Sequence, residues 1–197
     1  MNSNEVILAQ GYKYIVSTLI VAIILSLLDF NILGTILFIL TAFIAFTYRN
    51  PHRQVFANSN NVLSPIDGTV TAIDLKNGKQ IIYCKVTPCD TAVVRAPIDS
   101  SLKIESYQNG LNLNPNSYKA NLLNEQITFI FDNIKLKLIS GLCNPKIKHT
   151  DSKNIKQGDS IALFIDGLAI ITIQENQNLL VKIGDKLKSA QTIIYSK

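Results

Sequence analysis

An apolar stretch at residues 12–48 constrains this chain more than any other feature. After Lys13 it contains one ionised side chain, Asp29. A membrane-spanning helix needs about 20 apolar residues, and a charge at the centre of one long helix would cost several kcal/mol. Asp29 divides the stretch into two apolar runs, 12–28 and 30–48. The sequence therefore predicts two short transmembrane helices joined by a turn at residues 29–31.

Basic residues flank this segment and predict its orientation. Lys13 precedes the first helix, and Arg49, His52 and Arg53 follow the second. By the positive-inside bias both ends lie on the cytoplasmic side. Three alternatives remain open: a cleaved signal peptide, one span with a re-entrant segment, and an anchor within one leaflet. The signal peptide is disfavoured because a second apolar run follows the first directly, with no small-x-small cleavage site.

The remainder, residues 50–197, has the usual size of one domain. After a polar linker at 57–61 it contains many short strands at roughly ten-residue spacing, which is typical of an all-β barrel or sandwich. Asn77 and Gly78 predict a tight hairpin, and residues 111–119 a surface loop. The predicted strands begin at residue 62 and continue at 69–73, 80–86, 91–95, 102–108, 126–131, 134–139, 160–165, 168–173, 179–183 and 192–195.

Two similar turn segments suggest a more specific architecture. Residues 64–70 (SPIDGTV) and 181–187 (VKIGDKL) look like the two halves of a lipoyl-type barrel-sandwich hybrid. Gly68 and Gly184 would supply the tight turns. The expected fold is therefore an all-β, barrel-sandwich-hybrid-like domain, 50–197, preceded by an N-terminal α-helical transmembrane hairpin, 1–49.

Charge and cysteine usage narrow the ligand classes. The net charge of +5 comes from scattered lysines, which disfavours a nucleic-acid surface and is compatible with anionic phospholipid head groups. The chain has three cysteines, Cys84, Cys89 and Cys143, an odd number that does not indicate a disulfide framework and fits a reducing compartment. Each cysteine is expected at a buried or half-buried apolar position. With only His52 and His149 as further ligands, no metal site is expected.

The order of the motifs along the chain resembles the short form of the phosphatidylserine decarboxylases. That resemblance implies a place in phospholipid metabolism at a bacterial-type inner membrane, with the soluble domain on the cytoplasmic side. The matching segments are residues 48–53 (YRNPHR), 64–68 (SPIDG), 88–97 (PCDTAVVRAP), 124–126 (NEQ), 158–163 (GDSIAL) before Gly167, and 181–187 (VKIGDKL).

The resemblance also implies a definite chemistry. In that family a serine attacks the carbonyl of the glycine before it, the chain splits, and a pyruvoyl group remains on the new N-terminus. The pyruvoyl ketone forms a Schiff base with the substrate amine and accepts the electrons released as carbon dioxide leaves. Self-cleavage therefore requires a hydroxyl after the glycine, a base, and a carboxylate that orients the base.

This chain departs from the family at two of these three positions. Leu168 follows Gly167 and has no hydroxyl, and Ala92 stands where the family has its histidine. Asp67 remains, with a catalytic or a purely turn-forming role. Arg95 also remains, to bind a lipid phosphate or to pair with a carboxylate. No cofactor is expected, since Leu168 cannot form a pyruvoyl group.

Other hydroxyls or thiols would not easily take over this role. Ser160 and Thr172 are the nearest hydroxyls, but using either would shift the register and break the flanking matches. Cys143 has no histidine near it in the sequence.

Three functions follow from these observations. The favoured one is a membrane-anchored relative of phosphatidylserine decarboxylase that neither processes itself nor decarboxylates. The second is an active decarboxylase that makes phosphatidylethanolamine, which requires a different alignment around Gly167. The third is a barrel-sandwich adaptor or scaffold at the membrane. The expected partners are membrane lipid, an active paralogue, or a second copy of the chain.

Overall fold

The computed structural model describes residues 6–53, 55, 61–115, 117–144, 146–150, 154–174 and 177–196. The chain divides into two compact units between His52 and Arg53. Of the linker predicted at 57–61, only Asn61 is among the described residues, and there it begins a strand.

The first unit consists of two apolar helices, α1 (Ala9–Leu27) and α2 (Asn31–Thr47). Asp29 lies between them with a φ of 63°, a left-handed conformation that aspartate tolerates better than most residues. The first helix begins three residues before its predicted start at Tyr12. Ala9 and Gln10 are good helix formers, and counting apolar residues alone overlooked them.

Small residues let the two helices approach closely. The Thr41 hydroxyl donates to the Thr18 hydroxyl at 3.0 Å, and a Cβ on Gly34 would lie 3.4 Å from the carbonyl oxygen of Ala22. Such contacts are typical of closely packed apolar helices. By length and composition α1 is able to cross a membrane, whereas α2 is apolar but shorter.

The second unit is rich in β-structure, as predicted. In strands such as β8 and β12, buried residues alternate with half-buried ones, because one face of the sheet covers the core. The strands are β1 (Asn61–Leu63), β2 (Gly68–Lys76), β3 (Lys79–Val86), β4 (Val93–Arg95), β5 (Ser100–Ser101), β6 (Lys103–Gln108), β7 (Gln126–Phe131), β8 (Ile134–Ser140), β9 (Lys148–His149), β10 (Asn154–Ile155), β11 (Ser160–Leu163), β12 (Gly167–Ile173), β13 (Lys186–Leu187) and β14 (Ile193–Ser196), with one helical turn, α3 (Ala120–Leu123), before β7.

Seven strands form one antiparallel sheet in the order β13-β2-β3-β12-β8-β7-β6. Within the described residues its two outer strands do not pair with each other, so the sheet is open and no barrel closes. The sheet stays open because β13 has only two residues and all six residues of β6 are exposed. Lys103 and Glu105 put charges on that outer strand, which discourages further pairing.

Three smaller sheets cover the buried face of the large one. Their orders are β1-β14, β10-β5 and β4-β11-β9. The core lies between the layers: Phe129 and Leu138 come from the large sheet, and Val94, Ile161 and Tyr195 come from the smaller ones. Burial of these side chains is the main stabilising contribution to the second unit.

Local turn signals gave mixed results. The hairpin predicted at Asn77 and Gly78 connects β2 to β3, and both residues have positive φ, as the tight turn requires. The strand predicted at 179–183 is wrong: only Leu179 forms a bridge. The segment turns instead, because Asp185 accepts a hydrogen bond from the amide of Lys182.

The two similar turn segments lie side by side. Leu187 pairs with Gly68, and the amide of Val70 donates to the carbonyl of Asp185 at 3.0 Å. In return, the amide of Gly184 donates to the carbonyl of Val70 at 2.8 Å. This pairing fixes the position of Asp67, the residue that precedes β2.

Candidate functional site

The predicted site residues gather at one end of the large sheet. Gly167 begins β12 and pairs with Val86, at the end of β3, and with Ser140, at the end of β8. Gly68 begins β2, and a Cβ on it would lie 2.7 Å from the carbonyl oxygen of Lys85. Strand β3 therefore separates Gly68 from Gly167, and two strand spacings correspond to roughly 10 Å.

Asp67 is held by an ion pair and a backbone hydrogen bond. Arg53 donates from Nη1 to Oδ1 at 2.7 Å and from Nη2 to Oδ2 at 2.5 Å. The amide of Ser189 donates to Oδ1 at 2.8 Å. Arg53 also donates to the hydroxyl of Thr91 at 3.1 Å and to the carbonyl of Ser189 at 2.8 Å. Both carboxylate oxygens are thus occupied by this network.

These contacts decide the protonation state of Asp67. Burial alone would raise the pKa of its carboxyl, but the hydrogen bonds from Arg53 and Ser189, the charge of Arg53 and a hydrogen bond with Thr91 outweigh it. The pKa of Asp67 therefore lies below its usual value. A carboxylate in this state holds a proton poorly and is suited to orient a positively charged neighbour.

Arg95 is buried and turned toward the domain interior. Its Nη1 donates to the carbonyl of Gly158 at 3.1 Å. Burial lowers the pKa of Arg95, as does the charge of Arg53, while Asp67 and Asp159 act in the opposite direction. The guanidinium therefore lies within the electrostatic influence of two carboxylates and a second arginine, and its side chain is used inside the β unit.

Ala92, at the family's histidine position, is buried beside the Arg53–Asp67 pair. It directly follows Thr91, and its carbonyl accepts a hydrogen bond from the amide of Phe164 at 2.8 Å. The ring of Phe164 in turn comes within 2.9 Å of where a Cβ on Gly167 would lie. Positions 92 and 167 are therefore neighbours through Phe164, but the methyl group of Ala92 can neither accept nor donate a proton.

Gly167 occupies a position that only glycine fits. Its φ is 136°, and an added Cβ would overlap the carbonyl oxygen of Ile139. The next residue, Leu168, pairs with Lys85 on one side and Ile139 on the other, and its side chain is half-buried. The peptide between Gly167 and Leu168 is part of a strand that is paired with neighbours on both sides.

Asp166, directly before this peptide, anchors the loop after β8. Its Oδ1 accepts the amide of Cys143 at 2.9 Å, and its carbonyl accepts the amide of Gly141 at 2.9 Å. Burial raises the pKa of Asp166, and the backbone hydrogen bonds from Cys143 and Leu142 oppose this without cancelling it. Asp166 therefore fastens residues 141–143 against the start of β12.

The alternative nucleophiles have unsuitable surroundings. Ser160 follows Asp159 rather than a glycine and lies opposite Arg95 in β11. Thr172 follows Ile171 and pairs near the far end of β12. Cys143 is an exposed residue. Partial burial of its thiol and the charge of Asp166 nevertheless raise the pKa of Cys143, which disfavours the thiolate.

The cysteine prediction is correct for one residue of three. Cys84 is buried, as expected, whereas Cys89 and Cys143 are exposed. The turns that contain these two residues present their side chains to solvent. Within the described part of the chain, no group of three histidine, cysteine, aspartate or glutamate residues lies close enough to hold a metal ion.

Three residues of the Asp67 network were missed from the sequence. Arg53 is a basic flank of the apolar segment and the last residue of the junction motif at 48–53, but neither feature indicates that it pairs with Asp67. Thr91 had a signal too, since it adjoins Ala92 in a matched motif. Ser189 had none: it is 122 residues from Asp67, and only the fold brings them together.

Comparison with known proteins agrees with the motif order. The family model for phosphatidylserine decarboxylase matches residues 40–195. A phosphatidylserine decarboxylase proenzyme of Geotalea uraniireducens is 26% identical, over 98% of this chain and 97% of the relative. The proenzyme of Pelagibacter ubique is 29% identical, over 96% of this chain and 95% of the relative. The proenzyme of Wolbachia pipientis wMel is 26% identical, over 94% of this chain and 88% of the relative.

No solved structure matches the chain. The family match covers well over half of the sequence and includes Asp67, Ala92, Arg95, Gly167 and Leu168. The chain belongs to the phosphatidylserine decarboxylase family.

Proposed function

We propose that this protein is a membrane-anchored member of the phosphatidylserine decarboxylase family that has lost self-processing and decarboxylase activity. The observation that carries the proposal is Leu168, which follows Gly167 inside a fully paired strand. Without an oxygen on residue 168 no ester can form with the carbonyl of Gly167, so the chain stays intact.

The surroundings of the missing hydroxyl support the same conclusion. Ala92 provides no base beside the Arg53–Asp67 pair. Asp67 is a poor substitute base, because Arg53 and Ser189 occupy its oxygens and its pKa is lowered. A new nucleophile would therefore have no group to take its proton.

The residues present do not fit the pyruvoyl group that the family chemistry requires. That group is made from the side chain and backbone of the residue after the scissile bond, and leucine lacks the β-oxygen needed for the elimination. We therefore derive no catalytic step through it. What remains of the family site is a folded end of the sheet in which Asp67 is paired with Arg53 and Arg95 donates to the carbonyl of Gly158.

The membrane anchor is the second part of the proposal. Helices of 19 and 17 residues are about 28 and 25 Å long, close to the hydrocarbon thickness of a bilayer. Lys13 lies in the second turn of α1, Arg49 follows α2, and Asp29 lies at their connection. We propose that both helices cross the inner membrane with Asp29 on the outer side and the β unit in the cytoplasm.

Thiol accessibility in intact bacteria tests this topology. In a protein with Cys89 and Cys143 changed to serine, Asp29→Cys should react with a membrane-impermeant maleimide. A cysteine at Ser106, on the exposed strand β6, should react only after the cells are opened. Labelling of both positions in intact cells, or of neither, would contradict the proposed orientation.

The finer fold proposal is a barrel-sandwich hybrid. It is supported by the antiparallel pairing of Gly68 with Leu187 and of Thr69 with Lys186, which joins the two similar turn segments. Because adaptor and scaffold modules also use the barrel-sandwich fold, the same pairing favours an adaptor or scaffold function as the second candidate. An adaptor would bind a protein partner and show no preference among lipids in a flotation assay.

Intact mass and gel analysis of the purified full-length protein test the loss of processing. We expect one uncut chain of 21.8 kDa. Two fragments that separate between Gly167 and Leu168 would sink the proposal, as would a small fragment blocked to Edman sequencing and trapped by borohydride with an amine. Release of carbon dioxide from labelled phosphatidylserine by the uncut protein would contradict the inactive assignment.

A further inference from the structure

Apolar side chains are exposed on two loops of the β unit. They are Leu111, Tyr118, Leu122, Leu123 and Leu142, which we call the apolar loop surface. Large apolar residues that contact neither the core nor another element usually mark an interaction surface. These five make up half of the large apolar side chains that are exposed among the described residues after Arg53.

The two loops are in contact with each other. The side-chain amide of Asn112 donates to the carbonyl of Asn144, and a Cβ on Gly141 would lie 2.9 Å from Cγ of Pro115. The amide of Leu111 donates to the carbonyl of Leu123 at 2.7 Å. The apolar loop surface is therefore one region, built on a hydrogen-bonded framework.

This surface lies at the same end of the large sheet as Gly167. Gly167 pairs with Ser140, and the loop that contains Leu142 leaves β8 there. Gln126, at the start of β7, pairs with Gln108, at the end of β6, and the other loop connects these two strands. The hairpin tip near Leu75 is at the opposite end of the sheet.

Charge distinguishes a lipid surface from other occupants. Residues 109–124 and 141–147 contain Lys119 and Lys146 and no aspartate or glutamate. Both lysines are exposed. The adjacent Glu125 is buried and accepts hydrogen bonds from the hydroxyl of Tyr107 at 2.6 Å and the amide of Ile147 at 3.0 Å. Asp166, which holds the loop at Gly141 and Cys143, is also buried. Exposed leucines, a tyrosine and lysines whose two acidic neighbours are buried match an anionic bilayer surface.

We infer that the apolar loop surface docks the β unit onto an anionic phospholipid bilayer, with the Gly167 end of the sheet toward the head groups. The inference rests on the membrane anchoring proposed above, because an anchored domain meets the bilayer at high effective concentration and a small surface then suffices. It adds a lipid contact in the β unit that is separate from the two helices.

Depth-dependent fluorescence quenching tests this docking in the full-length protein. Cys89→Ser and Cys143→Ser remove the exposed thiols, and the buried Cys84 is retained. Three single cysteines are labelled with an environment-sensitive dye: Leu122→Cys on the apolar loop surface, Leu75→Cys at the opposite end, and Ile23→Cys in α1. Leu122 and Leu75 form a matched pair, with 63% and 66% of the residue exposed.

The protein is reconstituted in vesicles of phosphatidylcholine with phosphatidylglycerol and spin-labelled lipid. We expect several-fold stronger quenching at position 122 than at position 75, together with strong quenching at position 23. Equal quenching at 122 and 75, or none at 122, overturns the docking. Quenching at 23 without quenching at 122 would leave the anchor standing and remove only the docking. Quenching at 122 without quenching at 23 would support the docking and contradict the transmembrane anchor.

Charge substitution tests the choice of lipid. Lys119→Gln with Lys146→Gln should weaken docking by about fivefold per lysine, with a matching loss when phosphatidylglycerol is left out. Lys76→Gln with Lys79→Gln, at the opposite end of the sheet, should leave docking unchanged. Equal quenching at 122 in vesicles with and without phosphatidylglycerol would overturn the anionic-lipid assignment.

Discussion

Arg53 and Asp67 form a two-pronged ion pair in which only 8% and 10% of the two side chains are exposed. The pair connects the residue that begins the β unit to the turn before β2. Arginine suits this position because its planar guanidinium meets both carboxylate oxygens at once. In this chain the family's carboxylate therefore has a structural partner that does not depend on a histidine.

Removal of this carboxylate should be costly. Asp67→Ala leaves Arg53 buried without its counter-charge, and breaking a buried pair in this way costs about 3–5 kcal/mol. We expect the melting temperature of the full-length protein in detergent to fall by roughly 10 °C. Asp74→Ala, on the exposed part of β2, should change stability by less than about 0.5 kcal/mol. Equal effects of the two variants would show that the pair contributes nothing.

Two carboxylates should give the stability opposite dependences on pH. The pKa of Asp67 is lowered in the folded state, so its contribution is present above the unfolded value of about 3.9 and is lost as the pH falls through the folded pKa. The pKa of Asp166 is raised by burial, so its contribution is complete below about 3.9 and is lost as the pH rises through the folded pKa.

Melting temperatures recorded across pH for Asp67→Asn and Asp166→Asn separate the two effects. As the pH is lowered, the melting temperature of Asp67→Asn should fall less than that of the parent protein. Asp166→Asn should lose part of the decline in stability above about pH 4. Profiles parallel to that of the parent would contradict both assignments.

Gly167 should resist substitution for reasons unrelated to chain cleavage. Gly167→Ala forces a Cβ into the carbonyl of Ile139 and a φ of 136° onto alanine, so we expect a loss of more than about 3 kcal/mol, or failure to fold. Gly78→Ala has a positive φ but open space around it and should cost about 1 kcal/mol. Urea unfolding midpoints compare the two, and similar values would remove the steric argument.

Leu168→Ser alone should leave the chain uncut. The variant supplies the hydroxyl, but Ala92 still provides no base, so one band is expected on a denaturing gel after prolonged incubation. The double variant with Ala92→His supplies both the hydroxyl and the base and should yield a slow partial cut. Its histidine crowds a buried site at a cost of about 1–3 kcal/mol, so circular dichroism must first confirm folding. A cut in the single variant would show that no base at position 92 is needed.

Much of the β unit was predictable because burial alternates along its strands. Alternating patterns located β3, β8 and β12 within a residue or two, and a short apolar run located β7, which is buried almost throughout. Asn77 with Gly78 located a turn through their backbone preferences. Residues 179–183 misled the same reasoning. Val181 is buried and Leu179 packs against the core, whereas Leu180 and Ile183 are exposed. Side-chain character alone does not distinguish this irregular segment from a strand.

The candidate site was predictable in its members but not in its connections. Asp67, Ala92, Arg95, Gly167 and Leu168 were all identified from motif order. Sequence could not reveal that Arg53 pairs with Asp67 or that Arg95 points into the domain, because both depend on contacts between distant segments. The sequence also could not show whether the large sheet closes into a barrel. That depends on how many residues β13 contributes at the edge of the sheet.

The proposed absence of cleavage within β12 has a consequence for how this protein would assemble. Strand β12 lies in the middle of the large sheet, between β3 and β8, and β13 and β14 follow it in the chain. A cut before Leu168 would make these three strands a separate polypeptide. Refolding would then require two polypeptides to associate, a second-order process whose rate falls on dilution. If the chain stays uncut, as proposed above, refolding of the β unit should be first order, and its yield below the aggregation limit should be independent of protein concentration.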